Sequence, residues 1–205
     1  MIKNPSRLAL TAVALMVLLA SNRIRAEEDA TTQVADLANT ESGAANLLLN
    51  PGFEEGDQMP RSWSIGQKVD GVTFLWDKQK CKSGNASICL KKDAKRYFPI
   101  AEMHQVFDRK DGSKSIKVSA QVKAEGAHKA VLDVLFLDKD SEWISHHWVS
   151  YIGAKEAGDE PVTHDWKEYA GEVEIPPTAR KIQVSMQIYG PGKVWFDDVT
   201  AVYRE

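Results

Sequence analysis

Residues 181–189 read KIQVSMQIY, and this short stretch decides the class of fold. Its apolar side chains stand at every second position: Ile182, Val184, Met186 and Ile188. Successive side chains of an extended strand point to opposite faces, so this alternation predicts a β-strand with one face against a core. Residues 115–122, SIKVSAQV, alternate in the same way and predict a second half-buried strand.

Three further stretches have the composition of strands. Residues 130–137 are almost wholly apolar, as in a central strand, and residues 143–152 and 193–202 are rich in aromatic and β-branched residues. Turn-forming pairs and triplets separate the predicted strands: Asp111-Gly112, Glu125-Gly126, Pro176-Pro177 and Gly190-Pro191-Gly192. The pattern predicts an all-β fold, a two-sheet antiparallel β-sandwich or jelly roll.

The first 26 residues have the pattern of a secretory signal peptide. Lys3 and Arg7 precede an uncharged apolar run at residues 8–20, which is shorter than the roughly 20 residues of a membrane-spanning helix. An uncleaved amphipathic anchor is the alternative. Residues 27–45 are small and polar, as in a flexible linker, and residues 46–205 have the length of one domain. We therefore expect an exported domain, either secreted, periplasmic or on the cell surface.

The charge balance argues against two classes of partner. Residues 1–26 contain four basic residues and no acidic one, so the remaining chain has 22 basic and 29 acidic residues and a formal charge of −7. Nucleic acid and anionic lipid both require a basic surface, and we expect neither as a partner. No apolar stretch after the signal region is long enough to span a membrane.

The chain has two cysteines, Cys81 and Cys89, on either side of a Ser-Gly-Asn turn. An even pair at this spacing in an exported protein favours a disulfide. Two buried free thiols are the alternative.

The motifs of common catalytic sites are missing from the sequence. It contains no Gly-x-Ser-x-Gly, no His-Glu-x-x-His and no Gly-rich phosphate loop. We therefore expect a protein that is not an enzyme. A small glycan hydrolase is the alternative, and it would require a cleft with two facing carboxylates.

Four segments carry a resemblance to a known family. Residues 46–56 read NLLLNPGFEEG and are followed by PRSW at 60–63. Later come KSGNASI at 82–88, DWKEY at 165–169 and VWFDDV at 194–199. In this order and spacing they resemble the galactose-binding-like jelly rolls, and within them the carbohydrate-binding modules of families 4, 9 and 22.

The resemblance covers residues 46–203 and implies that fold together with non-catalytic binding of a polysaccharide or glycan. It is more specific for the fold than for the ligand, because this superfamily hosts many functions. A protein-interaction or cell-envelope structural domain, with other envelope proteins as partners, is the alternative on the same fold.

Asp197 and Asp198 stand where strand alternation predicts an apolar residue for at least one of them. A carboxylate near a core must be hydrogen-bonded, paired or bound to a metal. The resemblance implies a structural Ca²⁺, an ion that takes hard oxygen ligands. Its ligands would be the carbonyl of Gly52, the carboxylate of Glu54, a carbonyl near Lys82, and Asp197. A hydrogen-bonded carboxylate without metal is the alternative.

Sugar binding takes aromatic rings for the apolar faces of the sugar and amide or carboxylate groups for its hydroxyls. Residues 140–151, DSEWISHHWVSY, are the densest such collection. The candidate ligand-binding residues are Trp143, His147, Tyr151, Trp76, Gln183 and Gln187. A period of two places Trp143, His147 and Tyr151 on one face of a strand and Trp148 on the other, so that one tryptophan lies in the core.

Overall fold

The structure, a computed structural model, describes residues 45–154 and 159–204. The predicted signal peptide at 1–26 lies outside these residues, as does the predicted linker at 27–45 except for Ala45. Within the described ranges there is no helix at all, and so none with the length and apolarity to cross a bilayer.

Ten strands make up the described fold. They are β1 (Ser64–Ile65), β2 (Val72–Asp77), β3 (Ser87–Lys92), β4 (Ala101–Asp108), β5 (Ser115–Ala127), β6 (Lys129–Leu137), β7 (Trp143–Gly153), β8 (Val162–Glu174), β9 (Lys181–Ile188) and β10 (Gly192–Arg204).

These strands form two five-stranded sheets. The first sheet has the order β1-β4-β9-β6-β7, and the second has the order β2-β3-β10-β5-β8. Every pair of neighbouring strands is antiparallel. The predicted all-β, two-sheet antiparallel sandwich is therefore confirmed.

The core lies between the two sheets and follows the alternation in the sequence. On β9 the four apolar side chains of the repeat are buried, and on β5 Ile116, Val118 and Val122 belong to the same buried cluster. Burial of apolar surface stabilises the fold by about 25 cal/mol per Å². The outer faces of the two sheets do not pack against this core and can present side chains to a ligand.

Candidate functional site

The outer face of the first sheet is set by two irregularities in β7. The pairing of β7 with β6 shifts register between Leu132 and Asp133 and again between Phe136 and Leu137. Each shift is a β-bulge, which inserts an extra residue into one strand and so reverses the faces of the residues beyond it.

The two bulges gather four polar or aromatic rings on one face. Trp143 pairs with Leu137, His146 with Leu135, Trp148 with Asp133 and Tyr151 with Val131. Directly paired residues share a face, and these four partners on β6 alternate with its buried core residues. The outer face of β7 therefore presents Trp143, His146, Trp148 and Tyr151.

The register corrects the predicted position of His147. His147 pairs with Val134, a core residue, and its ring makes an edge contact with Phe136 at 5.9 Å between centroids. It therefore lies on the opposite face from Trp143 and Tyr151. The prediction assumed an unbroken period of two, and no glycine or proline in β7 before Gly153 marks either bulge.

The expectation that one of the two tryptophans of β7 is a core residue is also wrong. Trp143 is 63% exposed and Trp148 is 44% exposed. The two residues are five positions apart, and an unbroken strand would place them on opposite faces. The one bulge between them reverses the alternation, so both stand on the outer face.

Gln183 and Gln187 lie on β9, two strands away from β7 in the same sheet. Gln187 pairs with Val131 and Gln183 with Leu135, so both amides face the same side as the rings of β7. Both side chains are buried, with Gln183 8% exposed and Gln187 3% exposed. Gln187 lines the floor of a groove whose wall is β7, whereas Gln183 does not line it and lies next to it, with its Nε2 3.5 Å from Glu102 Oε1.

Gln187 is the centre of a hydrogen-bond network in this floor. Its Nε2 donates to Asp133 Oδ2 at 2.9 Å and to Ser185 Oγ at 2.8 Å, and lies 3.4 Å from Glu102 Oε2. Its Oε1 accepts a hydrogen bond from Tyr189 Oη at 2.9 Å. Since both ends of the amide are engaged, its orientation is set by the network.

Two carboxylates thus flank one amide. Because each lies within hydrogen-bond range of the same nitrogen, the oxygens of Asp133 and Glu102 are at most about 6.3 Å apart. Burial raises the pKa of Asp133, while the adjacent His146, 3.3 Å away, and Gln187 act in the opposite direction. Glu102 lies 3.4 Å from the ring of His104.

Neither carboxylate was among the residues predicted from the sequence. Asp133 did have a signal, because it is the one charged residue within the otherwise apolar stretch 130–137. A buried acid in a central strand needs a partner. Glu102 had no such signal, since it alternates normally on β4.

The groove has a volume of about 350 Å³. This is within the range of small-molecule sites. Its lining residues come from four strands and the loops beside them: Gln67, Ile100, Glu102, Asp133, Leu135, Trp143, His146, Gln187 and Tyr189. The exposed ring of Trp143 stands beside carboxylate and amide groups, the combination that a sugar requires.

Trp76 does not contribute to this groove. It lies on β2, in the second sheet, where its indole nitrogen donates to the Phe53 carbonyl at 2.8 Å. The ammonium of Lys78 covers its ring at 3.3 Å from the centroid.

Tyr151 stands on the outer face but away from the groove floor. Its hydroxyl donates to the carbonyl of Ala154 at 2.6 Å, and its ring lies 6.3 Å from that of Trp148. Of the predicted residues, the structure therefore brings Trp143 and Gln187 together in the groove, with Gln183 beside its lining residue Glu102 and Tyr151 further along the same face.

The residues of the predicted calcium site lie in another place, between the N-terminal segment and β10, where Lys82 contacts Asp197 through its backbone N–H. Asp197 is fully buried, and its Oδ2 accepts from the backbone of Lys82 at 2.7 Å and of Ser83 at 3.2 Å. Glu54 accepts from the backbone of Asn85 at 3.0 Å.

Gly52 completes this cluster. A Cβ added there would lie 3.6 Å from Asp198 Oδ1, 3.8 Å from Glu54 Cγ and 3.9 Å from Asp197 Oδ1. Burial, together with the Asp198 charge, raises the pKa of Asp197 to about 6. The Glu54 carboxylate itself is turned to the backbone N–H groups of Asn85 and Ala86. Among the described residues, none of these three acids forms an ion pair with a lysine or arginine.

The described residues contain no group of three or more His, Cys, Asp or Glu side chains arranged to hold a metal. The predicted calcium site would not form such a group, because Glu54 and Asp197 are its only side-chain ligands. Its other two predicted ligands are backbone carbonyls.

The predicted disulfide is not seen, because Cys81 and Cys89 are both free thiols. The thiol of Cys81 is directed back into its own turn, 3.5 Å from the carbonyl of Gly84. Cys89 is buried within β3, where it pairs with Leu75 and Trp195, and burial raises the pKa of its thiol to about 12.

The sequence matches no protein-family model and no curated protein. Similar structures do exist. The enzymatically active domain of bacteriophage CBA120 tailspike protein 4 has a TM-score of 0.57 at 15% identity, over 78% of this chain and 21% of that one. This chain therefore spans about a fifth of the tailspike domain.

Two similar structures match over nearly their whole length. The CBM22-1 xylan-binding domain from Paenibacillus barcinonensis Xyn10C has a TM-score of 0.53 at 13% identity, over 78% of this chain and 95% of that one. A cyclase from Fischerella sp. TAU has a TM-score of 0.55 at 14% identity, over 79% of this chain and 98% of that one. Likeness at such identity shows a shared fold and not a shared activity. The chain therefore has the jelly-roll fold of the carbohydrate-binding modules that its sequence resembles.

Proposed function

We propose that this protein binds a glycan in the groove of its first sheet. The observation that carries the proposal is the exposed ring of Trp143 beside the polar floor formed by Glu102, Asp133 and Gln187. A pyranose has an apolar face, which stacks on a ring, and a rim of hydroxyls, which donate to carboxylates and exchange hydrogen bonds with amides.

The polar floor suits this role because it is pre-organised. Asp133 and Gln187 are held by each other and by Tyr189, so a bound sugar would not have to order these side chains. The fold shared with a xylan-binding module gives independent support, though it does not name the sugar.

The test is binding of the full chain to a glycan array and to insoluble polysaccharides. We expect retention on at least one polysaccharide and competition by the matching soluble oligosaccharide. Retention that a soluble sugar does not displace, or no retention at all, would contradict the proposal. Specific capture of envelope proteins in that case would favour the protein-interaction alternative.

We further propose that Gly52, Glu54, Lys82 and Asp197 hold a structural Ca²⁺. The support is that Glu54 and Asp197 both lie beside Gly52 and that, among the described residues, neither forms an ion pair with a lysine or arginine, so a divalent ion there would offset their negative charge. When bound, the ion would tie the N-terminal segment to β10.

The calcium proposal has a direct test. EDTA should lower the Tm of the wild type, and added Ca²⁺ should restore it, because an ion that binds only the folded state stabilises it. The Asp197→Ala variant should no longer respond to either. A wild-type Tm that EDTA leaves unchanged would contradict the site.

One observation favours a second function, hydrolysis of the bound glycan. Asp133 and Glu102 have oxygens at most about 6.3 Å apart, an upper bound compatible with the roughly 5–5.5 Å of retaining glycosidases, and burial raises the pKa of Asp133 as a general acid requires. Release of reducing ends by the wild type, lost in Asp133→Asn, would establish it. Binding without release would leave a non-catalytic module.

We also propose that residues 1–26 direct export. Fractionation of cells that express the full chain should find the protein outside the cytoplasm, with its N-terminus near residue 27. A cytoplasmic protein that retains Met1 would contradict this.

A further inference from the structure

The outer face of the first sheet continues beyond the groove into a cluster of rings around one lysine. The Lys129 cluster consists of Lys129, Trp148, Tyr151 and Tyr189. The Lys129 ammonium lies 4.0 Å from the ring centroid of Trp148, 4.5 Å from that of Tyr189 and 5.7 Å from that of Tyr151. Such cation–π contacts hold the ammonium in a defined place.

The cluster is continuous with the groove. Tyr189 belongs to both, because it lines the groove and also lies under Lys129. On the other side, the ring of His146 in the groove lies 6.4 Å from that of Trp148. A chain of sugars bound along β7 would therefore extend from Trp143 to the Lys129 cluster.

Lys129 has no anionic partner among the residues that the structure describes. Its side chain is half-buried among the rings, and this burial lowers its pKa. A cation that has lost part of its hydration and lacks a counter-charge gains more from an incoming anion than a fully hydrated surface lysine does.

The neighbouring loop adds positive charge and an open ring. Lys95 and Arg96 are exposed at residues 95–96 and are followed by Phe98, whose ring is 70% exposed and lies 5.9 Å from that of Tyr189. The loop is tied to the sheet by the buried Lys92, which donates to the carbonyls of Tyr97 and Pro99. An apolar platform thus stands beside the cationic cluster.

We propose that the Lys129 cluster is a subsite for an acidic sugar, in which the ammonium binds a ring carboxylate or sulfate and an aromatic ring supports the pyranose. This rests on the proposed glycan function and names its ligand class: a polysaccharide that carries uronate or sulfate groups. Charges of the domain that lie more than about 8 Å from the cluster are largely screened at physiological salt. The nearer carboxylates of Asp133 and Glu102 lie on the groove side of Tyr189, so the anionic group of the sugar would bind Lys129 on the side away from the groove.

The test compares ligands that differ only in charge. Polygalacturonate is compared with its methyl-esterified form, and dextran sulfate with dextran, so that the two pairs separate carboxylate from sulfate recognition. The full-length wild type should bind one anionic form at least tenfold more tightly than its neutral partner, and less so as salt rises.

Matched lysine variants locate the effect. Lys129→Gln should weaken binding of the preferred anionic form about tenfold and leave the neutral form unchanged, whereas Lys129→Arg should keep the preference. Lys78→Gln is the control, because Lys78 also covers a tryptophan ring but directly follows β2 of the other sheet. It should change neither.

Two results would overturn the subsite while leaving glycan binding intact. One is a wild type that is retained on polysaccharides but shows no preference for either anionic form. The other is a Lys129→Gln variant that weakens the charged and neutral ligands equally, which would mark Lys129 as a support for the rings. Absence of binding to any polysaccharide would instead contradict the proposed function itself.

Discussion

Replacing Trp143 with alanine separates binding from folding. Trp143 is 63% exposed, so only about a third of its surface is buried in the folded protein. For an aromatic side chain of about 150–250 Å² at about 25 cal/mol per Å², the expected cost in the free energy of unfolding is at most about 1.5–2 kcal/mol. A fully buried tryptophan would cost about 3–5 kcal/mol.

The effect on binding should be larger than this small loss of stability suggests. A sugar that stacks on the ring gains about 0.5–1.5 kcal/mol beyond the burial of its apolar face. Together these contributions predict a Kd that is about tenfold to thirtyfold higher for Trp143→Ala. The Kd is measured by calorimetry with a polysaccharide that the wild type retains, and the stability by thermal or urea unfolding of the same preparations.

The control is Trp166→Ala, which removes a half-buried tryptophan from β8 in the other sheet. It should alter stability without altering the Kd. The reasoning is refuted if Trp143→Ala binds as tightly as the wild type. It is also refuted if its stability falls by about 3–5 kcal/mol, because the ring would then behave as part of a core.

Two further substitutions, each with a matched control, test the groove and the calcium cluster, and one labelling experiment tests the thiols. Gln187→Glu places a third carboxylate between those of Asp133 and Glu102. Repulsion between two such charges about 4 Å apart costs about 4 kcal/mol for each pair. Repulsion should raise the pKa of the new glutamate in the folded state. The free energy of unfolding, measured as a function of pH, should therefore be unaffected below the ordinary glutamate pKa of about 4.3 and fall as the pH rises above it. Gln187→Met adds no charge and should show no such fall with pH. Iodoacetamide should label the half-buried Cys81 and spare Cys89 in the native protein. A protein mass lower by two hydrogens, with neither cysteine labelled, would instead show the predicted disulfide. Gly84→Ala should lower the free energy of unfolding more than Gly112→Ala does. Both glycines have a positive φ, but only at Gly84 would an added Cβ collide with a carboxylate of the proposed calcium site, that of Glu54. Equal losses of stability in the two variants would argue against the contact between Gly84 and Glu54.

The class of fold could be predicted because it depends on a local property. Whether a side chain of a strand faces a core is decided by its own polarity and that of its neighbours two positions away, and the repeat at 181–189 shows this directly. Asp197 could be singled out for the same reason, since a carboxylate breaks the apolar pattern of its strand. The buried Asp133 broke a similar pattern at 130–137 and could have been identified by the same rule.

The composition of the groove depended instead on contacts between distant parts of the chain. Two bulges in β7 put Trp148 on the outer face of the first sheet and His147 on the opposite face, and their positions follow from pairing with β6 rather than from any residue in β7 itself. Glu102 and Gln187, 85 residues apart, meet only because β4 and β9 are neighbours in the sheet. The sequence by itself determined an alternating, two-sheet sandwich with aromatic and amide side chains available to a ligand. Which of them share one groove was decided by strand order and register, because these follow from the packing of the whole sheet and not from local preference.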